Sequence, residues 1–196
     1  MILNFQEIFD IIVMSLAVGY IFSGFFRKYF HKQYENYDPL ARKPGNFDWD
    51  SLKFAALSVA PAIILHEFAH KFVAIAFGLE AVFKAAYFWL FIGLMMKMMG
   101  TGFIFFVPAY VNISNPTGLG IIPFSYAMVA FAGPAMNGIL WLLTSLVLKY
   151  NLVNRKYFPL LNVTKRVNMF LFIFNMLPLP GFDGFKVFQG IFQTIF

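Results

Sequence analysis

Apolar residues in this chain gather into long runs separated by polar stretches, the pattern of a chain solvated by lipid rather than of elements with one wet face. The first run, Ile8 to Phe26, is about long enough to cross a hydrocarbon core of ~30 Å at ~1.5 Å per residue and predicts a membrane helix. It has no basic leader or small-residue cleavage site, and Arg27 and Lys28 follow it directly, so a removable signal peptide is not expected. Arg27 to Lys53 is rich in acids and bases and holds Pro39, Pro44 and Gly45, which predicts a wet loop. The second run, Phe54 to Phe77, predicts another membrane helix with Pro61 inside it and Gly78 as its C-terminal stop.

The third run, Ala85 to Val111, is long enough to span but is interrupted by Lys97, Gly100, Gly102 and Pro108. These divide it into a helix-like piece of about a dozen residues and an extended piece, Gly102 to Ile113, which predict a re-entrant or interfacial element instead of a crossing. After the polar turn Asn112 to Gly120, Ile121 to Leu148 reads as a membrane helix containing Gly133, Pro134 and Asn137. A basic loop from Lys149 to Arg166 follows, then a helix from Val167 to Leu177 broken by Pro178, Pro180 and Gly181, and a short apolar tail. The expected architecture is an all-α polytopic membrane protein of about four transmembrane helices with a small membrane-associated re-entrant or β element, residues 1–196 forming one domain.

Composition supports this. The chain is 60% hydrophobic and 12% charged, with 28 Phe and a mean hydropathy of +0.71, which argues against a soluble enzyme and against disordered or disulfide-stapled classes. Six of the 15 Lys and Arg fall between residues 27 and 53 and five between 149 and 166, with no repeating motif. The net charge of +6 is therefore read as attraction to the anionic lipid bilayer, with no nucleic acid partner. Absence of cysteine removes thiolate ligands and nucleophiles.

The sharpest chemical signal is His66-Glu67-Phe68-Ala69-His70, lying inside the second apolar run. A spacing of four puts both imidazoles on one helix face, where they can share a metal ion, and leaves Glu67 beside it to take a proton from bound water. Each ionisable group in hydrocarbon costs at least ~2.5 kcal/mol on insertion scales, and a divalent cation compensates all three together. His31 lies in the polar segment and is expected to be solvated.

A catalytic zinc site needs a third protein ligand if water is to fill the fourth position. Beyond the motif the later carboxylates are Glu80 and Asp183. Glu80 leaves the motif helix past Gly78 and cannot easily return to the imidazole face, whereas Asp183 follows a broken helix of the kind that builds ion sites at depth. Asp183 can alternatively cap the helix of the tail. From Lys53 to His66 is about 20 Å of helix and from Arg166 to Asp183 at most roughly 25 Å, so the two sites meet only if both chains enter from one face. The two helices must then run parallel, which the crossing at Ile121 to Leu148 permits provided Ala85 to Val111 does not cross. Within that crossing, Gly133 and Asn137 share a face: the glycine lets a neighbouring helix approach closely, and the amide bonds either at the site or to another helix. Asn175, at the helix break, either donates to a substrate carbonyl or oxyanion or caps freed backbone groups.

Taken in order, His66-Glu67-x-x-His70, Gly133-x-x-x-Asn137 and Asn175-x-x-Pro178-x-x-x-x-Asp183-Gly184 resemble the site-2 protease family of intramembrane zinc metalloproteases, over about Leu52 to Val187. The resemblance implies that His66, His70 and Asp183 bind Zn2+, that Glu67 is the catalytic base, and that Asn137 and Asn175 hold the substrate. It implies a multi-pass protein of the cell membrane that hydrolyses a peptide bond in or near a transmembrane segment of a protein substrate, with a membrane regulator as a possible partner, and a sheet element after the first motif. Family members often continue with further membrane helices and carry PDZ or CBS-type domains, which this chain does not show. The family keeps its site toward the cytosolic face, whereas the positive-inside rule puts both basic loops in the cytosol; the two signals oppose each other. A zinc carrier or metal sensor of the membrane is the alternative reading.

Overall fold

The first helix, α1 (Phe5–His31), starts three residues ahead of the expected run because Asn4 and Glu7 form a capping box. The Glu7 N–H donates to Asn4 Oδ1 at 2.8 Å, and the Asn4 N–H donates to Glu7 Oε2 at 2.9 Å. The computed structural model describes residues 3–31, 48–100, 107–118 and 120–196, so the expectation of a wet loop falls largely on residues 32–47, outside the described residues. The second helix, α2 (Trp49–Ala76), also begins early. Asp48 accepts from the Ser51 N–H at 3.1 Å and from its hydroxyl at 2.7 Å, which places Asp50 and Lys53 in the opening turns of the helix. At the other end Gly78, at φ 75°, supplies the left-handed residue of a Schellman motif: its N–H donates to Ile75 O at 2.9 Å and the Leu79 N–H donates to Ala74 O at 3.0 Å.

That reversal launches a strand the hydropathy pattern did not reveal, β1 (Glu80–Ala85). It pairs antiparallel with β2 (Ala109–Ser114), with Glu80 opposite Ser114 and Ala85 opposite Ala109. Between them lies α3 (Tyr87–Met98), the expected helix-like piece at 12 residues. Of the expected extended piece, residues 102–106 lie outside the described residues and the strand begins only at Ala109. Because Ala85 and Ala109 are paired, the chain leaves and re-enters at one point, so the excursion through α3 gives no net crossing.

Two carboxylates of α1 fix this hairpin. Glu7 accepts from the Phe83 N–H at 2.7 Å and pairs with the buried Lys71 ammonium, while Asp10 accepts from the Ala85 N–H at 3.1 Å and from the Tyr87 hydroxyl. The bond to Asp10, together with burial, pushes the Tyr87 hydroxyl up to about 12. Phe83 and Ala85 thus turn their N–H groups away from β2, and antiparallel alternation then directs those of Val111 and Ile113 away from β1. Met14 and Val18 of α1, Val59 and Ile63 of α2, Leu90 of α3 and Phe83 of β1 close the core beneath the sheet.

The next long helix is α4 (Pro123–Lys149), and a 3₁₀ turn at Arg155–Tyr157 leads into α5 (Phe158–Asn175). α5 begins nine residues before the expected Val167, so Lys165 and Arg166 are helical and not part of the loop. The tail, expected as a short apolar end, is α6 (Asp183–Ile195). Ala62 of α2 stands level with Asn137 and Asn168, and farther along both chains His66 meets Asp183, so α2 and α5 run parallel as the depth argument required.

Among the described residues, three helices are long and apolar enough to cross a membrane: α1 over Phe5–Gly24, α2 and α4. The expected fourth, α5, interrupts its apolar positions with Asn162, Thr164, Lys165, Arg166 and Asn168 and falls outside that set. Large apolar side chains such as Leu142, Leu146, Phe170, Ile173, Phe188 and Phe192 are exposed, as on a surface solvated by lipid. The three apolar helices and this surface are those of a membrane protein.

Candidate metal centre

Four residues apart on α2, His66 and His70 project from one face with ring centroids 4.7 Å apart and planes at 83°. The Asp183 carboxylate comes to them from the first position of α6: its Oδ2 lies 3.1 Å from His66 Nε2 and 3.2 Å from His70 Nε2, and the two Nε2 atoms are 3.0 Å apart. The imidazoles are 6% and 7% exposed. Asp183 does not cap its helix, for no side-chain bond is made at that N-terminus; its second oxygen lies 3.8 Å from the Lys186 ammonium.

Backbone chemistry decides which nitrogens face the centre. His70 Nδ1 lies 2.7 Å from Val129 O, and a carbonyl only accepts, so that nitrogen carries the proton and Nε2 presents a lone pair. His66 Nδ1 lies 2.5 Å from Asn137 Oδ1 and is protonated for the same reason. When both rings are neutral, two nitrogen lone pairs and a carboxylate oxygen converge, a set of negative ends that a cation in the middle stabilises. Three ligands at ~2.0–2.1 Å in a tetrahedron stand about 3.3 Å apart, close to the separations observed. The three side chains therefore fit a zinc ion.

Two glycines make room. A Cβ on Gly133 would stand 2.3 Å from His70 Nε2 and 2.6 Å from His66 Nε2, so the neighbouring helix that this glycine admits is α2, which meets it with its imidazole pair. In the next position, Pro134 removes the helical bond to Ala130 O and loosens the turn that carries Val129 O. A Cβ on Gly184 would meet Met176 O at 2.4 Å and Leu177 O at 2.7 Å, so the break after α5 folds directly onto the start of α6 and brings Asp183 back to α2. Phe182 closes that loop edge-on against Phe174 at 4.8 Å.

Glu67 is 9% exposed and lies next to His66, with the backbone N–H of Val111 reaching its carboxylate from β2. Glu80 is exposed at the start of β1, opposite Ser114 and away from the site. Asn137, expected against substrate, is fully buried on the far edge of the His66 ring from Asp183. Its Nδ2 donates to Ala62 O at 3.1 Å and to Asn168 Oδ1 at 2.9 Å, which uses both amide hydrogens inside the protein. Asn175 ends α5 half-buried, and its side chain has no hydrogen-bond partner among the described residues.

Asn168, Lys71, Glu7 and Asp10 were not singled out from the sequence. Lys71 and Asp10 each interrupt an apolar run, and a charge in such a run calls for a partner, so the signal was present although the partner was not.

No family model matches the chain, and no solved structure matches it. A protein of Methanocaldococcus jannaschii named "Putative zinc metalloprotease" is 28% identical over 182 residues, covering 93% of this chain and 83% of its own length. The likeness supports a zinc metalloprotease, and with the apolar helices it is consistent with a membrane metalloprotease.

Proposed function

We propose that this chain is an intramembrane zinc endopeptidase of the site-2 type, a multi-pass protein of the cell membrane that hydrolyses a peptide bond in or near a transmembrane segment of a membrane-protein substrate. One observation carries the reading: three lone-pair donors from α2 and α6 converge at 3.0–3.2 Å, with a buried carboxylate, Glu67, one residue from the first of them.

Zinc held by His66, His70 and Asp183 would polarise the scissile carbonyl and bring the pKa of a bound water toward ~7. Glu67 takes the proton from the attacking water and returns it to the leaving amine, so the carboxylate ends the cycle as it began. Asn175, with its amide free of protein partners among the described residues, donates to the substrate carbonyl as negative charge grows on it. A helical substrate hides its carbonyls in its own hydrogen bonds and must unwind before any of this can occur.

Support for an extended substrate comes from the sheet. The outer edge of β1 is closed by Glu7 and Asp10, which leaves the edge of β2 beside Glu67, where the Val111 N–H meets the Glu67 carboxylate and the Ile113 N–H points away from β1. An unwound segment added along that edge lies next to the proposed base.

The test is Glu67→Gln in the purified full chain, with zinc content and cleavage of a single-span substrate measured together. The expected protein holds stoichiometric zinc and loses activity by at least ~100-fold; in the unmutated protein a chelator removes zinc and cleavage, and added zinc restores both. Retained cleavage by the variant overturns the assignment, and zinc bound without any cleavage by the unmutated chain favours the carrier or sensor.

A further inference from the structure

We propose that Asn168 is a positioning residue for the metal centre: through Asn137 it holds His66 in the tautomer whose Nε2 is a lone pair. The inference rests on the reading of His66, His70 and Asp183 as the zinc site, and it concerns a residue of α5 that touches none of the three.

The chain of bonds runs in one direction. Thr164 O is a backbone carbonyl and can only accept, so the Asn168 atom 2.8 Å from it is the amide nitrogen, and the Asn168 oxygen faces Asn137. Ala62 O is also a carbonyl, and the Asn137 atom that meets it at 3.1 Å, and that meets Asn168 Oδ1 at 2.9 Å, is again the nitrogen. The Asn137 oxygen is then left facing His66 Nδ1, which must donate to it. Reversing the Asn137 amide sets its oxygen against two other acceptors and its nitrogen against His66 Nδ1, which moves the imidazole proton to Nε2 and removes a metal ligand. Asn137 and Asn168 are both 0% exposed, so water cannot substitute for either bond. His70 has no such relay, because Val129 O fixes it directly.

This asymmetry makes a controlled experiment possible. Zinc affinity of the full chain in detergent micelles is measured by chelator competition, and the metal-free protein, labelled with nitrogen-15 at its 3 histidines, is examined by NMR for the protonation of each ring nitrogen. In the unmutated protein Nδ1 of both His66 and His70 is expected to carry a proton. Asn168→Leu is expected to weaken zinc binding about tenfold, the low end for losing an outer partner of a ligand, and to give His66 a mixture of tautomers while His70 is unchanged. Asn168→Asp is expected to restore both readouts to near the unmutated values, since a protonated carboxyl offers the same acceptor to Asn137 and the same donor to Thr164 O.

A merely structural role for Asn168 would disturb both histidines or neither. Unchanged affinity together with an unchanged His66 tautomer in Asn168→Leu overturns the proposal while leaving the zinc site intact; no zinc binding by the unmutated chain instead overturns the site. Should Asn168→Leu fail to fold, the unmutated metal-free protein still decides the matter: His66 found with Nδ1 bare and its single proton on Nε2 refutes the relay.

Discussion

Replacing Gly133 with alanine tests the proposed metal centre without touching any of its three proposed ligands. The new methyl carbon would lie 2.3 Å from His70 Nε2 and 2.6 Å from His66 Nε2, whereas ordinary contact begins at 3.4 Å. His70 must therefore retreat by about 1.1 Å, several times the ~0.2 Å that a metal–ligand distance tolerates. Zinc affinity is expected to fall by more than the ~10–100-fold that follows loss of an outer partner of a ligand. The fold should survive. Overpacking costs about 1–3 kcal/mol, and exchanging glycine for alanine inside a helix returns roughly 1 kcal/mol of it. Metal stoichiometry by elemental analysis, with helicity and thermal melting by circular dichroism, separates these effects. Gly138→Ala in the same helix is the control, since its added carbon meets only the Phe172 ring at 3.3 Å and should leave zinc in place. Full zinc occupancy in Gly133→Ala at unchanged affinity would show that the imidazoles do not sit against this glycine and would refute the argument.

Two further outcomes are expected. Glu7→Leu leaves the Lys71 ammonium buried without its partner and should destabilise the protein by about 3–5 kcal/mol in chemical unfolding, whereas the double variant Glu7→Leu with Lys71→Met should recover the part due to the uncompensated ammonium but not the lost cap of α1 or the lost bond to the Phe83 N–H; equal stability of the single and double variants would mean the pair is not coupled. In β2, Ile113→Pro removes an N–H that points away from β1 and should reduce cleavage while zinc content and folding persist, but Asn112→Pro, paired with Val82, should break the sheet itself. Full cleavage of the substrate by Ile113→Pro would count against strand addition at this edge.

Much of the architecture is legible in the chain because lipid imposes a simple rule: apolar runs of sufficient length become helices, and charges inside them need partners. The motif at His66 to His70 is legible because a spacing of four closes one helical turn, and bond lengths near ~2 Å then force α5 to run parallel with α2 and bring Asp183 to the same depth. Helix ends were misplaced where a side chain caps the helix, as at Asn4 and Asp48, since capping depends on one residue and not on a run. β1 is not legible because its six residues follow directly on the Schellman turn that ends α2 and are too few to show a period of their own.

What only the tertiary structure decided is which polar group meets which. Spacing alone allowed the Asn137 amide to face either a substrate or a neighbouring helix; packing of α2, α4 and α5 turned it toward the His66 ring edge and supplied Asn168 behind it. Likewise the sequence required a counter-ion for Lys71 without naming Glu7, which lies 64 positions earlier. Periodicity is a property of neighbours along the chain, whereas the partner of a buried donor is whichever acceptor the packed helices bring within about 3 Å, and that is a property of the fold.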